Sequence, residues 1–465
     1  MFKKILVANR GEIAVRVMRT CRDMGIRTVA VYTDVDADSL HVRLADEAYS
    51  IGAADVENSY LNPEKIFEVA RASQADAVHP GYGFLAENPD FVEMCEQRGL
   101  TFIGPPSKSM RKVKPKHTAR ELMRLLNIPV VPGHAQNPLT STIAGLRQVE
   151  EVAEGIGYPV LIKPSGGGGG IGMAIARNRE ELDDAVRTVE VRGQKLFGVA
   201  AFYVEKLITN FKHIEFQVLA DKHGNVIHLG ERDCSVQRRF QKLIEESPCS
   251  ILSPRLRMKM GAAALDIALA MQYVNAMTVE FFYMPQTQEF YFNEVNTRLQ
   301  VEHCVTEVAT GVDIVKEQIR IAAGEPLGYS QDDIIRHRYA IECRITAEDV
   351  SRNFLPAPGT VASLQLPHGI GLRIDEGIHQ GYRVPFYYDP LLLKIMAWGK
   401  TRDEALQRIK RGLSEMRIEG IQTNLPFHRL ALDDDLFQTG AYTTDFIHGQ
   451  RIVERVREQV KAAKK

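Results

Sequence analysis

No run of apolar residues in this chain approaches the roughly 20 needed to cross a bilayer, so no membrane span is expected. The six cysteines (Cys21, Cys95, Cys234, Cys249, Cys304 and Cys343) are scattered without C-x-x-C spacing. That argues against a zinc site or a disulfide framework and fits a reducing compartment. A formal net charge of -1 gives no global attraction to nucleic acid or acidic membranes, so cationic clusters are judged singly. There is no internal repeat and no low-complexity tract. The start, Met1 to Ala8, sets basic residues before a short apolar run and leads straight into Asn9-Arg-Gly-Glu12. It reads as a first β-strand rather than a signal peptide, and a cytoplasmic location is the expectation.

The 465 residues exceed one ordinary core and imply two or three domains, with 45% hydrophobic and 25% charged residues, as in globular proteins. A strand at Lys4 to Ala8, helical periodicity from Gly11 to Met24 and a strand at Thr28 to Tyr32 make a βαβ unit, hence a parallel sheet. Helix Pro63 to Ser73, strand Ala75 to His79 and the loop Pro80 to Phe84 extend it toward Gly104-Pro-Pro106. A linker with Lys114, Pro115 and Lys116 leads to a helix at Thr118 to Leu126. Residues 145–208 read as a small α/β module, and residues 213–323 hold most of the polar chemistry. Residues 338–449 read as a mixed, strand-rich unit, and the tail from Arg451 as a charged helix serving as a solvated cap.

The densest polar signal is Phe292-Asn-Glu-Val-Asn-Thr-Arg-Leu-Gln-Val-Glu-His303. With the period of two of a strand, Glu294, Asn296, Arg298, Gln300 and Glu302 share one face, and Val295, Thr297, Leu299 and Val301 the other. Upstream, Met277 to Met284 and Glu289 to Glu294 flank Pro285-Gln-Thr-Gln288 and read as a hairpin. An odd-length loop would set Glu280 opposite Glu294. Like charges facing across a ladder repel, and a divalent cation such as Mg2+ between them reverses the sign.

Lys163-Pro-Ser-Gly-Gly-Gly-Gly-Gly-Ile-Gly-Met173 reads as a phosphate-handling loop, since consecutive glycines let backbone N–H groups approach phosphate oxygens. Its match to G-x-G-x-x-G is not a Rossmann fingerprint, because the run enters a strand rather than a helix, and Gly-Lys-Ser/Thr of a Walker loop is missing. His213, Glu215 and Gln217 alternate onto one face. With Lys242 and Gln237 from the donor-rich stretch Glu231 to Lys242, His213 could surround a small anion or phosphate chain. Glu205 to Ile208, after a strand, could offer backbone groups to an adenine edge.

At this point the chain, from Met1 to about Gly449, closely resembles the biotin carboxylase component of biotin-dependent carboxylases, members of the ATP-grasp superfamily. The resemblance rests on Ala8-Asn-Arg-Gly-Glu-Ile-Ala14, His79-Pro-Gly-Tyr-Gly-Phe-Leu85, the glycine loop, Glu231-Arg-Asp-Cys-Ser235, Asn293 to His303 and Glu342-Cys-Arg-Ile345. It implies an α/β and α+β fold. A parallel-sheet, Rossmann-like N-terminal domain would span 1–115 and an ATP-grasp domain 116–330, with its lid at about 134–208. A strand-rich C-terminal domain would span 331–449, before a helical tail at 450–465.

The resemblance implies ATP- and bicarbonate-dependent carboxylation of biotin through carboxyphosphate. Glu280, Glu294 and Asn296 would hold Mg2+ or Mn2+. Lys116, Lys163, Gly169, Gly170, His213 and Gln237 would contact ATP, with Phe240 nearby and Glu205, Lys206, Leu207 and Ile208 at the adenine. Lys242, Arg298, Gln300 and Val301 would bind bicarbonate, and Glu302 would be the general base. Arg298 and Arg344 would stabilise the biotin enolate, with Tyr82 and Phe84 at the biotin end. Phe240 departs from a histidine common near ATP, Ile171 from a basic residue at the lid tip, and Lys114-Pro115 from a Gly-Asp pair. Arg257-Met-Lys-Met260 mimics a biotinylation motif but falls in a helical stretch, so biotin is expected on a separate biotin carboxyl carrier protein. A homodimer and a carboxyltransferase subunit complete the expected assembly. The rival readings are another ATP-grasp ligase and a nucleotide-binding subunit without turnover.

Overall fold

The computed structural model describes residues 1–113, 116–134, 139–140, 143–165 and 172–462. Lys114, Pro115, Gly169, Gly170 and Ile171 therefore lie outside the described residues, as does the side chain of Lys116. The first five strands are β1 (Lys4–Val7), β2 (Arg27–Tyr32), β3 (Glu47–Ser50), β4 (Ala77–His79) and β5 (Thr101–Phe102). They form a parallel sheet in the order β3-β2-β1-β4-β5. The apolar run that suggested a strand is why β1 lies at its centre: Ile5, Leu6 and Val7 are fully buried. The helix Gly11–Asp23 follows β1 as its periodicity predicts. Strand order reverses between β1 and β4, and such a switch point opens a crevice at the carboxyl ends of the strands. There Asn9 Nδ2 donates to the carbonyls of Pro80 (2.6 Å) and Tyr82 (2.8 Å), tying the two strand exits together. Gly81 permits this, because its φ is +62° and a Cβ would come within 2.9 Å of the Asn9 amide.

Three strands, β6 (Val160–Pro164), β7 (Ala174–Ala176) and β8 (Phe202–Lys206), make an antiparallel sheet in the order β7-β6-β8. With the helices Ile143–Ile156 and Leu182–Phe197 they enclose a core of their own around Val149, Ile162, Val186 and Val204.

The largest sheet has eight antiparallel strands. It runs from β13 (Glu289–Asn296) through β12 (Asn275–Met284), β9 (Lys212–Ala220), β10 (Val226–Arg238), β11 (Gln241–Ser247) and β14 (Tyr339–Thr346) to Leu391–Gly399 and Leu372–Glu376. The pairing of β11 with β14 carries it across the domain limit expected near residue 330, so the two units read as separate in the sequence share one sheet. The C-terminal helix Ile452–Ala462 is not a solvated cap: Ile452, Val453 and Val456 are buried in the core that holds Phe427 and Leu432. Its charged residues hide a short apolar stripe. No described helix is long and apolar enough to cross a membrane.

Candidate active site

Three glutamates lie side by side on adjacent strands, because Glu215 of β9 pairs with Glu280 of β12, which pairs with Glu294 of β13. The expected face-to-face pair forms, but by a different route. The loop after Met284 is even-numbered, as Met284 pairs with Glu289, and a shift between Glu280 and Phe281 bulges Asn293 out of register. That extra residue restores Glu294 opposite Glu280. Asn293 Nδ2 then donates to Glu280 Oε2 at 3.1 Å.

Lys242, from β11, compensates this row. Its Nζ donates to Glu215 Oε2 (2.5 Å), Glu280 Oε1 (3.0 Å) and Glu302 Oε1 (2.6 Å). Burial alone would raise the Glu280 carboxyl, but Lys242 and His213 reverse this and hold it well below the ordinary range. His213 Nε2 is 2.9 Å from Glu280 Oε2, and although burial works against its charged form, Glu280 raises its pKa. Gln237 Nε2 lies 3.4 Å from His213 Nδ1, so two of the three residues expected around a small anion stand together.

The strand carrying Glu294 does not continue to Glu302. It stops at Asn296, and Thr297 to Val301 follow an irregular path to Glu302, which precedes the helix His303–Thr310. The strict alternation is thus corrected, yet the same side chains converge. Gln300 Nε2 and Asn296 Nδ2 both donate to Glu280 Oε1, at 3.0 and 2.9 Å, and Arg298 Nη2 donates to Asn296 Oδ1 at 3.3 Å. Beneath them sits Arg232, fully buried, donating to Glu215 (2.6 Å), Gln217 (2.8 Å), Gln300 (2.7 Å), Thr278 (3.1 Å) and Thr306 (3.0 Å). Sequence reading gave Arg232 no role. Its immediate neighbours, Glu231 and Asp233, make it part of a charge run, which by itself reads as a solvated face.

Glu302 also meets a second cation. Arg344 Nη2 donates to Glu302 Oε2 at 2.8 Å, and Arg344 Nε to Glu245 Oε1 at 2.7 Å. Burial would raise Glu302, yet Lys242, Arg344 and Arg232 hold it well below the ordinary range. Glu245 behaves oppositely: burial outweighs Arg344, and with Glu302 nearby its carboxyl is pushed up to about 7. Directly across the ladder from Glu245 stands Glu342, fully buried, with neither carboxylate oxygen hydrogen-bonded among the described residues. Burial pushes it well above the usual range. Both glutamates escaped the sequence reading, since nothing in a single strand shows that two carboxyls will face each other.

Lys163 Nζ and Arg120 Nη1 both pair with the Glu205 carboxylate. Lys206 Nζ donates to the carbonyls of Gly157 and Tyr158 at 2.9 Å, and the Leu207 N–H to that of Pro159 at 3.1 Å, tying the end of β8 to the turn before β6, while Ile208 stays half-buried. Glu205 and Lys206 therefore lie inside β8 rather than after it. Phe240 is 59% exposed at the tip between β10 and β11, with φ +67°.

Beside Lys242 and Arg344 opens a cavity of about 490 Å³. Tyr82, Phe84, Arg298 and Arg344, the four residues expected at biotin, all line it, as does Val301. The exits of β1 and β4 supply one wall, so the switch-point crevice of the parallel sheet opens onto Lys242 of β11 and Arg344 of β14 in the large sheet. Phe84 stacks on Tyr60 at 4.9 Å. Tyr82 donates its hydroxyl proton to Glu12, which pairs with the fully buried Lys394 at 3.2 Å. Lys394 also donates to the Val301 carbonyl at 2.7 Å. A lysine inside the apolar run Leu391 to Trp398 must be paired to be buried, and that was the unread signal for it. Glu87 likewise went unread; it holds Arg298 Nε at 2.9 Å and the Thr297 N–H at 3.2 Å.

Lys259, in the biotinylation look-alike, lies within the helix Pro254–Met271, 5.4 Å from the Phe290 ring. It is a helix residue, as expected.

Three family profiles match the chain: "Biotin carboxylase, N-terminal domain" over residues 1–110, "Carbamoyl-phosphate synthase L chain, ATP binding domain" over 115–330, and "Biotin carboxylase C-terminal domain" over 342–449. Biotin carboxylase 1 of Bacillus subtilis (strain 168) is 49% identical over 447 residues, covering 96% of this chain and 98% of the relative. The biotin carboxylase of Haemophilus influenzae is 45% identical over 447 residues, covering 96% and 98%. Among solved structures, the biotin carboxylase domain dimer of Hydrogenobacter thermophilus 2-oxoglutarate carboxylase, with MgADP, ADP and bicarbonate, superposes with a TM-score of 0.92. It is 45% identical, with 97% of this chain and 98% of that one covered. The biotin carboxylase of Campylobacter jejuni, in a β,γ-ATP complex, gives 0.92 at 42% identity, covering 96% and 99%. With the parallel sheet, the shared antiparallel sheet and the acid row all in place, the chain belongs to the biotin carboxylase family.

Proposed function

We propose that the protein is the biotin carboxylase subunit of a multisubunit carboxylase. It carboxylates biotin borne on a separate carrier protein, using ATP and bicarbonate, through carboxyphosphate. The observation that carries this reading is the Lys242–Glu302–Arg344 chain, which joins the acid row to the cavity at Tyr82 and Phe84. A homodimer, a cytoplasmic site and a carboxyltransferase subunit belong to the same reading, as do domain limits of 1–115, 116–330, 331–449 and 450–465, with a lid at about 134–208. The three profile matches, which break near 110–115 and 330–342, support those limits.

Glu280, Glu294 and Asn296 suit Mg2+ or Mn2+, since they present hard oxygen donors from two adjacent strands beside cations that phosphate would engage. Bound there, the ion neutralises phosphate oxygens. Lys116, Lys163, Gly169, Gly170, His213 and Gln237 bind the nucleotide, with Glu205 to Ile208 at its base and Phe240 at the rim. Lys242, Arg298, Gln300 and Val301 hold bicarbonate. Glu302 takes its proton, and the freed oxygen attacks the γ-phosphoryl group, releasing ADP and leaving carboxyphosphate. Catalysis there is positioning and charge compensation. Carboxyphosphate then yields CO2 and phosphate, phosphate takes the proton of biotin N1′, and the enolate, held by Arg344 and Arg298, adds to CO2.

The resting ion pairs bear on this order of events. Lys242 is the leading cation that keeps Glu302 ionised and weakly basic. An arriving bicarbonate that draws Lys242 onto itself leaves Glu302 a stronger base at the moment a proton must be taken.

The test is ADP release measured with ATP, bicarbonate and biotin varied singly. Release that needs all three is expected. Release that depends on another carboxylic acid and ignores biotin would assign the site to a different ATP-grasp ligase.

A further inference from the structure

Exposed single apolar residues are ordinary on protein surfaces, and neighbouring exposed aromatics at the mouth of a cavity are not. Phe386 is 73% exposed and Tyr387, next to it, 61%. Tyr387 also lines the 490 Å³ cavity, and a side chain that does both stands on its rim. The segment is anchored on either side. Val384 is buried and pairs with Gly359. Tyr388 lies under the Arg10 guanidinium at 4.4 Å and edge-on to Tyr60 at 5.6 Å. Its hydroxyl donates to the Ala54 carbonyl (3.1 Å) and accepts from Thr33 (2.8 Å). Two large rings are therefore held in water on a fixed loop, which core packing does not require. Phe386 belongs to no buried cluster among the described residues.

The reaction supplies the occupant. Biotin that arrives on a carrier enters by its ring while the folded body of the carrier stops at the mouth, so whatever protrudes at the mouth meets that body. Rigid aromatics contribute contact area at low entropic cost and often dominate such interfaces. We infer that Phe386 and Tyr387 form the docking face for the carrier domain that bears biotin, Phe386 touching only the carrier body and Tyr387 both the body and the tethered biotin. This rests on the assignment of the cavity to biotin.

The experiment compares Phe386→Asp with the wild-type protein on two substrates: biotinyl-lysine, which has the prosthetic tip alone, and a purified biotinyl carrier domain. Phe386 lines no part of the cavity, so its replacement leaves the tip's path open. The expected result is a KM for the carrier domain raised at least about tenfold, with kcat and the KM for biotinyl-lysine unchanged. An unchanged KM for the carrier domain, or an equal rise for both substrates, would overturn the docking face. A fall in sedimentation mass in the variant would assign the face to a second copy of this chain and overturn it as well. Absence of biotinyl-lysine turnover by the wild-type protein would remove the biotin reading itself, and the docking face with it.

Discussion

The carboxylate of Glu302 is divided between two cations, one oxygen 2.6 Å from Lys242 Nζ and the other 2.8 Å from Arg344 Nη2. Each cation belongs to a different half of the proposed reaction, so each contact has its own readout. A charge-assisted contact contributes roughly 1.5–3 kcal/mol, which in a transition state is about one to two powers of ten in rate. Glu302→Ala and Arg344→Ala should each lower biotin-dependent turnover at least that far, with the KM for ATP within about twofold. Normal turnover in both variants would remove these two roles.

Lys242→Met makes a different demand. It leaves Glu215, Glu280 and Glu302 without the ammonium that reaches all three. Breaking a buried ion pair from one side costs roughly 3–5 kcal/mol. A clear fall in Tm at neutral pH should accompany loss of bicarbonate-dependent ADP release. The pKa values of Glu280 and Glu302 are depressed in the fold, so their stabilisation is present above about pH 4.3 and fades as the pH falls through the folded values. The Tm deficit should therefore narrow in acid. A deficit that is constant with pH would mean that Lys242 acts through packing alone.

Much of this arrangement was legible in the residues because local rules governed it. The β1-helix-β2 unit, the hairpin at Glu280 and Glu294, and the strands flanking the glycine loop follow from periodicity. The path from Thr297 to Glu302 did not, since a run of alternating polar residues looks the same whether it is a strand or an irregular segment drawn inward by Arg232 and Lys242. Burial of the C-terminal helix was hidden for a related reason: a narrow apolar stripe among charges does not say whether a partner surface exists. Long-range facts, such as Lys394 reaching both Glu12 and Val301, arise only when three parts of the chain meet.

Phe240 offers a gain-of-function test. It sits at an exposed tip in a left-handed conformation, where the family resemblance sets a histidine. Phe240→His restores a donor at that tip. One net hydrogen bond contributes about 0.5–1.5 kcal/mol, so the KM for ATP should fall roughly two- to tenfold. Titrating ATP at saturating bicarbonate and biotin measures this. An unchanged KM would show that the tip does not reach the nucleotide.

Glu342 gives the most unusual pH signature. It is fully buried, opposite Glu245, without a hydrogen bond to either oxygen among the described residues, and its pKa is raised well above the ordinary carboxylate range. A raised carboxyl keeps its proton in the fold and releases it on unfolding once the pH exceeds about 4.3. The unfolded state thus binds fewer protons, and stability falls as the pH climbs from there toward the folded value. Glutamine keeps the shape and cannot ionise. Glu342→Gln should match the wild-type Tm near pH 4 and exceed it progressively from pH 5 to 8, by a few degrees if the relief is about 1–3 kcal/mol. Turnover should stay near wild type, because Glu342 touches neither Glu302 nor Arg344 through a hydrogen bond. A Tm that falls in the variant at pH 8 would instead mean that the Glu342 carboxylate is ionised there and paired, and that the fold depends on its charge.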